Sequence, residues 1–586
     1  KQTITGHSNA FTHINLFFGS VHRYLTKGAV LLCVSVAALQ PAASAQQVKP
    51  ALFNCLKWRM IGPFRGGRTV GASGDTKHPN VFYMGVNNGG VWKTTDYGRT
   101  WLPIFDDQPT GSIGDVAVAP SNPNTVYVAS GEGLQRSVDP TDNEVYLYSQ
   151  GETAFIRNMY PCFDQPDLKA TFDFTAIVPK HWEVISNNPV KQVTELGANR
   201  KWEFTTTPII STYITAIVAG PYAHVHDEYQ GKRKIPLGIY CRKSLFQHLD
   251  AKEVFEVTKQ GFEYFERVFG LAYAFDKYDQ VAVVDFNWGA MENAGCVTFR
   301  EDALVFRSKV TERSHNARAN VILHEMAHMW FGNLVTMRWW DDLWLNESFA
   351  EWDSYLALGE ATRFKNSWAG FNSERKNGAY RQDQLTSTHP VSTDMVDIDT
   401  VKANFDSITY AKGASVLVQL VAHVGRDNFI SAIQKYFAKH AYQNTTLKDL
   451  LDELEATSGR NLSPWVSTWL QTSGVNTLRP EAKIVDGKYE SITILQEAPR
   501  IPVGSKELRP HRMAVALYDL SGDRLILRKS VELDVAGSST PVDALKGEKG
   551  ADLLLLNDRD LTYAKIRFDQ RSIETLKQNL GKLEDK

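Results

Sequence analysis

The sequence predicts a multidomain α+β protein. Three observations carry this. Text rich in Gly, Val and aromatics reads as strand from about Phe53 to Ser137, the pattern turns mainly helical from Lys243 to about Gly474, and strands return at Ala514 to Tyr518 and Arg524 to Leu527. At 586 residues the chain is several times the usual domain length, so roughly four domains are expected, with ample material for large cores. Hydrophobic residues make up 43%, charged residues 22%, and the formal charge is -2. That is ordinary globular composition, which excludes wholesale disorder and offers no basic surface for nucleic acid.

The first 45 residues read as a leader. Arg23 and Lys27 precede an apolar run from Gly28 to Leu39, and Ala43-Ser44-Ala45 stands just before Gln46. This is the order of a secretory signal peptide, and a run of 12 residues is well below bilayer-spanning length. A secreted or periplasmic location is expected if the leader is used, with the cytoplasm as the alternative, and no stable membrane insertion. Because the first methionine is Met60, residue 1 is not expected to be a natural start. The five cysteines are scattered without CxxC spacing, so buried free thiols are expected rather than a disulfide framework.

Residues 46–138 form the first strand-rich module. His78-Pro79-Asn80-Val81-Phe82-Tyr83-Met84 recurs as Asn122-Pro123-Asn124-Thr125-Val126-Tyr127-Val128, at about the ~40–45-residue period of a propeller blade. Between the copies, Thr94-Thr95-Asp96-Tyr97-Gly98-Arg99-Thr100-Trp101 resembles the Asp-box hairpin of sialidase-like and sortilin-like propellers, with Thr in place of the first Ser. The resemblance implies a structural role, the Asp bracing the turn and the Trp packing between strands. Two blades are fewer than the about four to eight that close a propeller, so a β-propeller-like fragment is expected.

Composition shifts after Asp139, and a second strand module without the repeat is expected over 139–242. The helical module spans 243–474. In it Thr446-Leu447-Lys448-Asp449 has the form of a capping box with Asp in place of Glu, ahead of an apolar-periodic stretch. Residues 475–570 return to strands, with Ser521-Gly522-Asp523 as a hairpin turn, and 571–586 begin a helix.

Chemistry concentrates at His324-Glu325-Met326-Ala327-His328, inside a Gly- and Pro-free stretch from Asn316 to Trp330. Residues four apart share a helix face, so both imidazoles reach one ion while Glu325 projects beside it. HExxH alone is a weak signal, and two histidines on an apolar helix are also compatible with satisfied core residues. What adds weight is Asn346-Glu347-Ser348, because Glu347 follows His328 after 18 intervening residues on a second helix-like stretch. Two His and one Glu leave a tetrahedral Zn2+ with one open position, the arrangement of catalytic zinc. A water there is a nucleophile near neutral pH, with Glu325 as its base.

HEMAH, the 18-residue gap, NES, and the upstream Gly289-Ala290-Met291-Glu292-Asn293 together resemble the aminopeptidase N family of zinc metallopeptidases, from about residue 139 to the C-terminus. The resemblance implies one Zn2+ held by His324, His328 and Glu347, and peptide substrates with a free N-terminus. Glu292 is implied to bind the substrate's α-ammonium, while small neighbours let the substrate backbone approach as an added strand. Gln150-Gly151-Glu152 is similar to the family's Q-x-E element. There Glu152 helps hold the amine and Gln150 lines the first side-chain pocket, the two sharing a strand face. Gly151 departs from the bulkier residue usual between them. Ile408-Thr409-Tyr410-Ala411-Lys412-Gly413 resembles the motif whose tyrosine donates a hydrogen bond to the oxyanion. Glu351, one turn beyond Glu347, is the candidate acid behind a ligand histidine.

The architecture implied is a partial N-terminal β domain (139–242), a thermolysin-like catalytic domain (243–474), a β-sandwich (475–570) and the start of a truncated C-terminal helical domain (571–586). Two other readings stay open: a secreted propeller-type binding protein with an inert peptidase-like region, and a join of two unrelated genes near residues 130 to 145. The pattern carries no signal for oligomeric state.

Overall fold

The computed structural model describes residues 69–582, apart from 87–88, 107, 109–112, 120–121, 131–132 and 523. The leader, with its apolar run, lies outside the described residues. Among the described helices, none is long and apolar enough to cross a membrane.

Residues 69–103 form a four-stranded antiparallel meander, Thr69–Gly74, Phe82–Val86, Gly90–Thr94 and Leu102–Pro103. Ile113–Val118 pairs with Val126–Ser130 as a separate hairpin. Among the described residues these strands close no ring. In the Asp-box turn Asp96 accepts from the Thr100 N–H at 2.9 Å, the Thr100 hydroxyl at 2.6 Å and the Thr94 hydroxyl at 2.8 Å. Those bonds, the Thr100 hydroxyl's first, hold its carboxyl down at about 2.

The expected boundary at 138/139 falls inside a hairpin. Gly133–Val138 pairs along its whole length with Val145–Gln150, in a four-stranded sheet with Glu183–Ser186 and Ile217–Gly220. A parallel pairing crosses the boundary placed at 242/243: Lys234–Arg242, which forms a hairpin with Tyr222–Gln230, also runs parallel to Tyr278–Val283. The catalytic sheet therefore begins near Tyr222. Its order is Tyr222–Gln230, Lys234–Arg242, Tyr278–Val283, Cys296–Arg300, and then the two-residue strand Ala290–Met291 at the edge.

Ala251–Val268 and α1 (Glu312–Ala327) pack on this sheet, and α2 (Leu343–Ala361) packs on those two helices, α1 and α2 carrying the zinc motif. α2 is buried over most of its length, which suits its lack of an outward polar face. The predicted capping box is present, both Thr446 and Asp449 contributing, at the start of Leu447–Ser458. Beyond residue 474, Thr477–Val485, Lys488–Glu497, Ser539–Pro541 and Lys565–Ile566 form one sheet, while His511–Ser521, Arg524–Val535 and Leu553–Asp558 form another. Leu478, Ile492 and Ile494 of the first share one core with Met513, Val515 and Leu556 of the second. Two sheets sharing one core is a sandwich arrangement.

Candidate metal centre and binding cleft

α1 and α2 bring the three predicted ligands together. His324 lies in the last turn of α1, and its C-cap His328 keeps α-helical dihedrals, so the i, i+4 relation survives. Ligand atoms of His324, His328 and Glu347 all lie within 4.8 Å of one another. Glu347 Oε2 stands 3.4 Å from His324 Nε2 and 3.6 Å from His328 Nε2. The nitrogens facing away are engaged from behind. His324 Nδ1 faces Glu351 Oε2 at 3.6 Å, and His328 Nδ1 meets Asn346 Oδ1 and, at 3.2 Å, the Phe331 carbonyl. Such outer partners fix ring orientation and leave both Nε2 atoms free to ligate.

The turn between the helices is shaped for this. Gly332 has φ +115, and a Cβ there would sit 2.2 Å from Asn346 Oδ1. Only glycine both adopts that conformation and leaves Asn346 its approach to His328.

The cleft in front of the helices has a volume of about 930 Å³. Gly289, Ala290, Glu292, Glu325, Glu152 and Tyr410 are among the residues lining it. Alternation along the edge strand sorts GAMEN into two faces. Ala290 and Glu292 face the cleft, whereas Met291 and Asn293 turn into the protein, Asn293 Nδ2 donating to the Thr298 hydroxyl at 3.2 Å. Gln150 also lies behind the cleft wall, with Nε2 3.3 Å from Met291 Sδ. Gln150 and Glu152 do not share a strand face: the strand ends at Gln150 and Glu152 starts the following turn. Gly151 explains itself, since a Cβ would lie 2.5 Å from the Tyr213 carbonyl and 2.7 Å from Ile156.

Glu292 accepts from Asn346 Nδ2 at 3.1 Å, so one amide holds both the imidazole of His328 and the acid expected to bind the amine. Ligand atoms of Glu152, Glu292 and Glu347 also lie within 4.8 Å of one another. Glu152 Oε1 is buried without a hydrogen-bond partner. Four carboxylates, those of Glu152, Glu292, Glu325 and Glu347, are thus nearly removed from water. Burial first, then repulsion from neighbouring acids, pushes Glu152 and Glu325 well above the carboxylate range. Burial likewise raises Glu347 to about 7, and lowers the basicity of His324. The donor set of two imidazoles and an acid, beside further buried carboxyl groups, fits a divalent zinc ion.

Tyr410 projects from the π-helical turn Ile408–Lys412, its ring 6.0 Å from that of His324, with a hydrogen bond to Glu347. The turn is tied to α2 by Ser348, whose hydroxyl donates to the Thr409 carbonyl at 2.6 Å. A Cβ on Gly413 would fall 2.0 Å from that hydroxyl, which gives the last residue of the motif its reason. Gly413→Ala is therefore expected to cost about 1–3 kcal/mol, read by urea unfolding, and to slow turnover by displacing Tyr410.

Three contributors were not read from the sequence. Asn346 stands beside a ligand in NES, and that adjacency was the available signal. Ser348 lies in the same motif, but its partner is remote. Arg375, whose Nε donates to Glu351 Oε1 at 2.5 Å, sits on another irregular turn with no local pattern to mark it.

Two families match the sequence: the Peptidase family M1 domain over residues 253–469 and the Peptidase M1 N-terminal domain over residues 125–214, together just over half of the chain. Aminopeptidase N of Streptomyces lividans is 52% identical over 463 residues, covering 78% of this chain and 53% of the relative. Tricorn protease-interacting factor F2 of Thermoplasma acidophilum is 31% identical over 445 residues, 76% of this chain and 53% of the relative. Leucyl aminopeptidase of Saccharolobus solfataricus is 35% identical over 352 residues, 59% and 43% respectively. The chain spans about half the length of the curated relatives it matches.

Proposed function

The chain belongs to peptidase family M1, and from that premise we propose that it is a zinc aminopeptidase removing single residues from the free N-termini of peptides. One observation carries the reading: the cluster His324, His328, Glu347 and the cluster Glu152, Glu292, Glu347 share a carboxylate, so a metal site and an ammonium site adjoin in one cleft. Zn2+ bound by His324, His328 and Glu347 supplies Lewis acidity toward a carbonyl and its attacking water.

The other roles belong to the chain. Ala290–Met291 is an edge strand, so its outer backbone groups are available to an extended peptide pairing as a further strand. Glu292 and Glu152 meet the ammonium with charge-assisted hydrogen bonds, strengthened by their burial. Glu325 takes the proton of the attacking water and gives it to the leaving amine; burial among acids raises its pKa and favours the form that holds the proton. The Tyr410 hydroxyl donates to the oxygen on which negative charge develops. Met291, Asn293 and Gln150 support the edge strand from behind rather than touching substrate.

The test is a panel of free and N-acetylated peptides. Free peptides are expected to lose one residue at a time while acetylated ones persist, and Glu292→Ala should lower kcat/KM by about a hundredfold, the worth of a charge-assisted bond or two. Internal cleavage of acetylated peptides would reject the assignment. Export is proposed on the leader's charged and apolar order, and propeller descent of residues 69–130 on the meander and its Asp-box turn.

A further inference from the structure

Two groups that face the metal centre stand on π-helical turns, Arg375 on Phe371–Lys376 and Tyr410 on Ile408–Lys412. A π turn inserts one residue into a helix and redirects the side chains around it. Arg375 reaches Glu351, and Glu351 reaches His324. Tyr410 reaches Glu347. In both turns a neighbouring lysine runs the other way, into the junction with the sandwich.

Lys376 is buried, and its Nζ donates to Asp560 Oδ1 at 2.7 Å and to the Thr562 carbonyl at 2.9 Å. Asn372, on the same turn, donates to Asp560 Oδ2 at 2.7 Å. Asp560 is itself fixed, with Asn557 Nδ2 donating to it at 3.0 Å. Lys412 is fully buried and pairs with the equally buried Asp383 at 2.9 Å. Asp383 in turn accepts the Gly474 N–H at 2.7 Å, where the chain enters the sandwich, and the Lys412 Nζ lies 5.7 Å from the centre of the Tyr563 ring.

Buried ion pairs add little net stability over apolar packing of the same shape. What they add is direction, because each oxygen must be met at one distance and angle. We propose that Lys376 and Lys412 are positioning residues through which the sandwich domain aims Arg375 and Tyr410 at the metal centre. The inference rests on the zinc aminopeptidase reading for its kinetic part, but its metal part stands apart from activity.

The two lysines lead to different groups, so their loss leaves different signatures. Purified zinc-loaded protein is compared with Lys376→Met, Lys412→Met and Lys565→Ala, the last removing an exposed junction contact to Gln384 that touches neither π turn. Zinc transfer to a chelator, kcat, KM and the thermal midpoint are read for each. Lys376→Met is expected to release zinc about tenfold faster or more, since outer partners of ligands are worth 10–100-fold in affinity. Lys412→Met should lower kcat about tenfold with KM within about twofold, as for a group acting on the transition state. Lys565→Ala should leave both unchanged whatever its midpoint.

Should a lysine variant fold poorly, the neutral pair Lys412→Met with Asp383→Leu and the milder Lys376→Gln replace it. A restored midpoint with kcat still low supports positioning. Recovery of kcat together with the midpoint, or unaltered zinc release and kcat in both lysine variants, overturns it. If no peptide is cleaved at all, the peptidase reading fails while the zinc-release arm still decides the role of Lys376.

Discussion

Glu325→Gln is expected to lower kcat by about a thousandfold while KM and bound zinc stay near their original values. A positioned general base contributes typically about 10²–10⁴ in rate, and the amide keeps the size and much of the hydrogen bonding of the acid but cannot hold a proton. Zinc should be retained because His324, His328 and Glu347 are untouched and already converge without Glu325. KM should hold because the ammonium is met by Glu292 and Glu152, whose carboxylates the variant leaves in place. The measurement is steady-state kinetics on an aminoacyl reporter alongside metal content. A loss confined to KM, or loss of zinc with the activity, would contradict the role given to Glu325. The variant also removes one of four buried acids, so the metal-free protein should become no less stable, since burial and repulsion already disfavour that charge.

The metal cluster was legible because its signals are local. HEMAH fixes two side chains on one helix face, and NES adds an acid at a distance that a helix, a turn and a second helix span. The tyrosine and GAMEN came through resemblance, and the structure adds what resemblance does not carry: which GAMEN residues face the cleft. Alternation on a two-residue edge strand decides that, and sequence does not reveal where so short a strand starts. The same blindness put Gln150 and Glu152 on one face, because the strand ends between them. Strand pairings cross the limits expected at 138 and 242 for another reason. Composition changes there, but Gly133–Val138 and Lys234–Arg242 take their partners by hydrogen-bond register from the far side of each expected boundary. The π turns left no trace, since one inserted residue hardly alters hydropathy. Nothing in the sequence therefore singles out Arg375 or Lys376, although one braces a ligand's partner and the other is buried in a domain junction.

Glu347→Gln should separate metal binding from folding, with opposite signs in the two states. In the zinc-loaded state the variant lacks its anionic ligand, so zinc affinity falls steeply, peptidase activity drops by about a thousandfold or more, and the thermal gain on adding zinc disappears. That gain is a linkage effect, of about RT ln(1 + [Zn]/Kd) in the wild type. In the metal-free state the sign reverses. Burial holds the carboxyl of Glu347 at about 7 against 4.5 for the free side chain, so the folded protein binds more protons than the unfolded one between those values. Stability contributed by the protonated form is present below about pH 4.5 and is lost as pH rises through about 7, a cost of the order of 3 kcal/mol for this one group. Glutamine carries no such charge. Metal-free wild type should therefore weaken between about pH 5 and 7.5 relative to metal-free Glu347→Gln, and zinc should cancel the difference. Urea unfolding across that range, with and without zinc after exhaustive chelation, reads both effects. Equal pH slopes for the two metal-free proteins would mean that Glu347 does not bear its charge in a buried cluster, and the convergence of His324, His328 and Glu347 would lose its electrostatic basis.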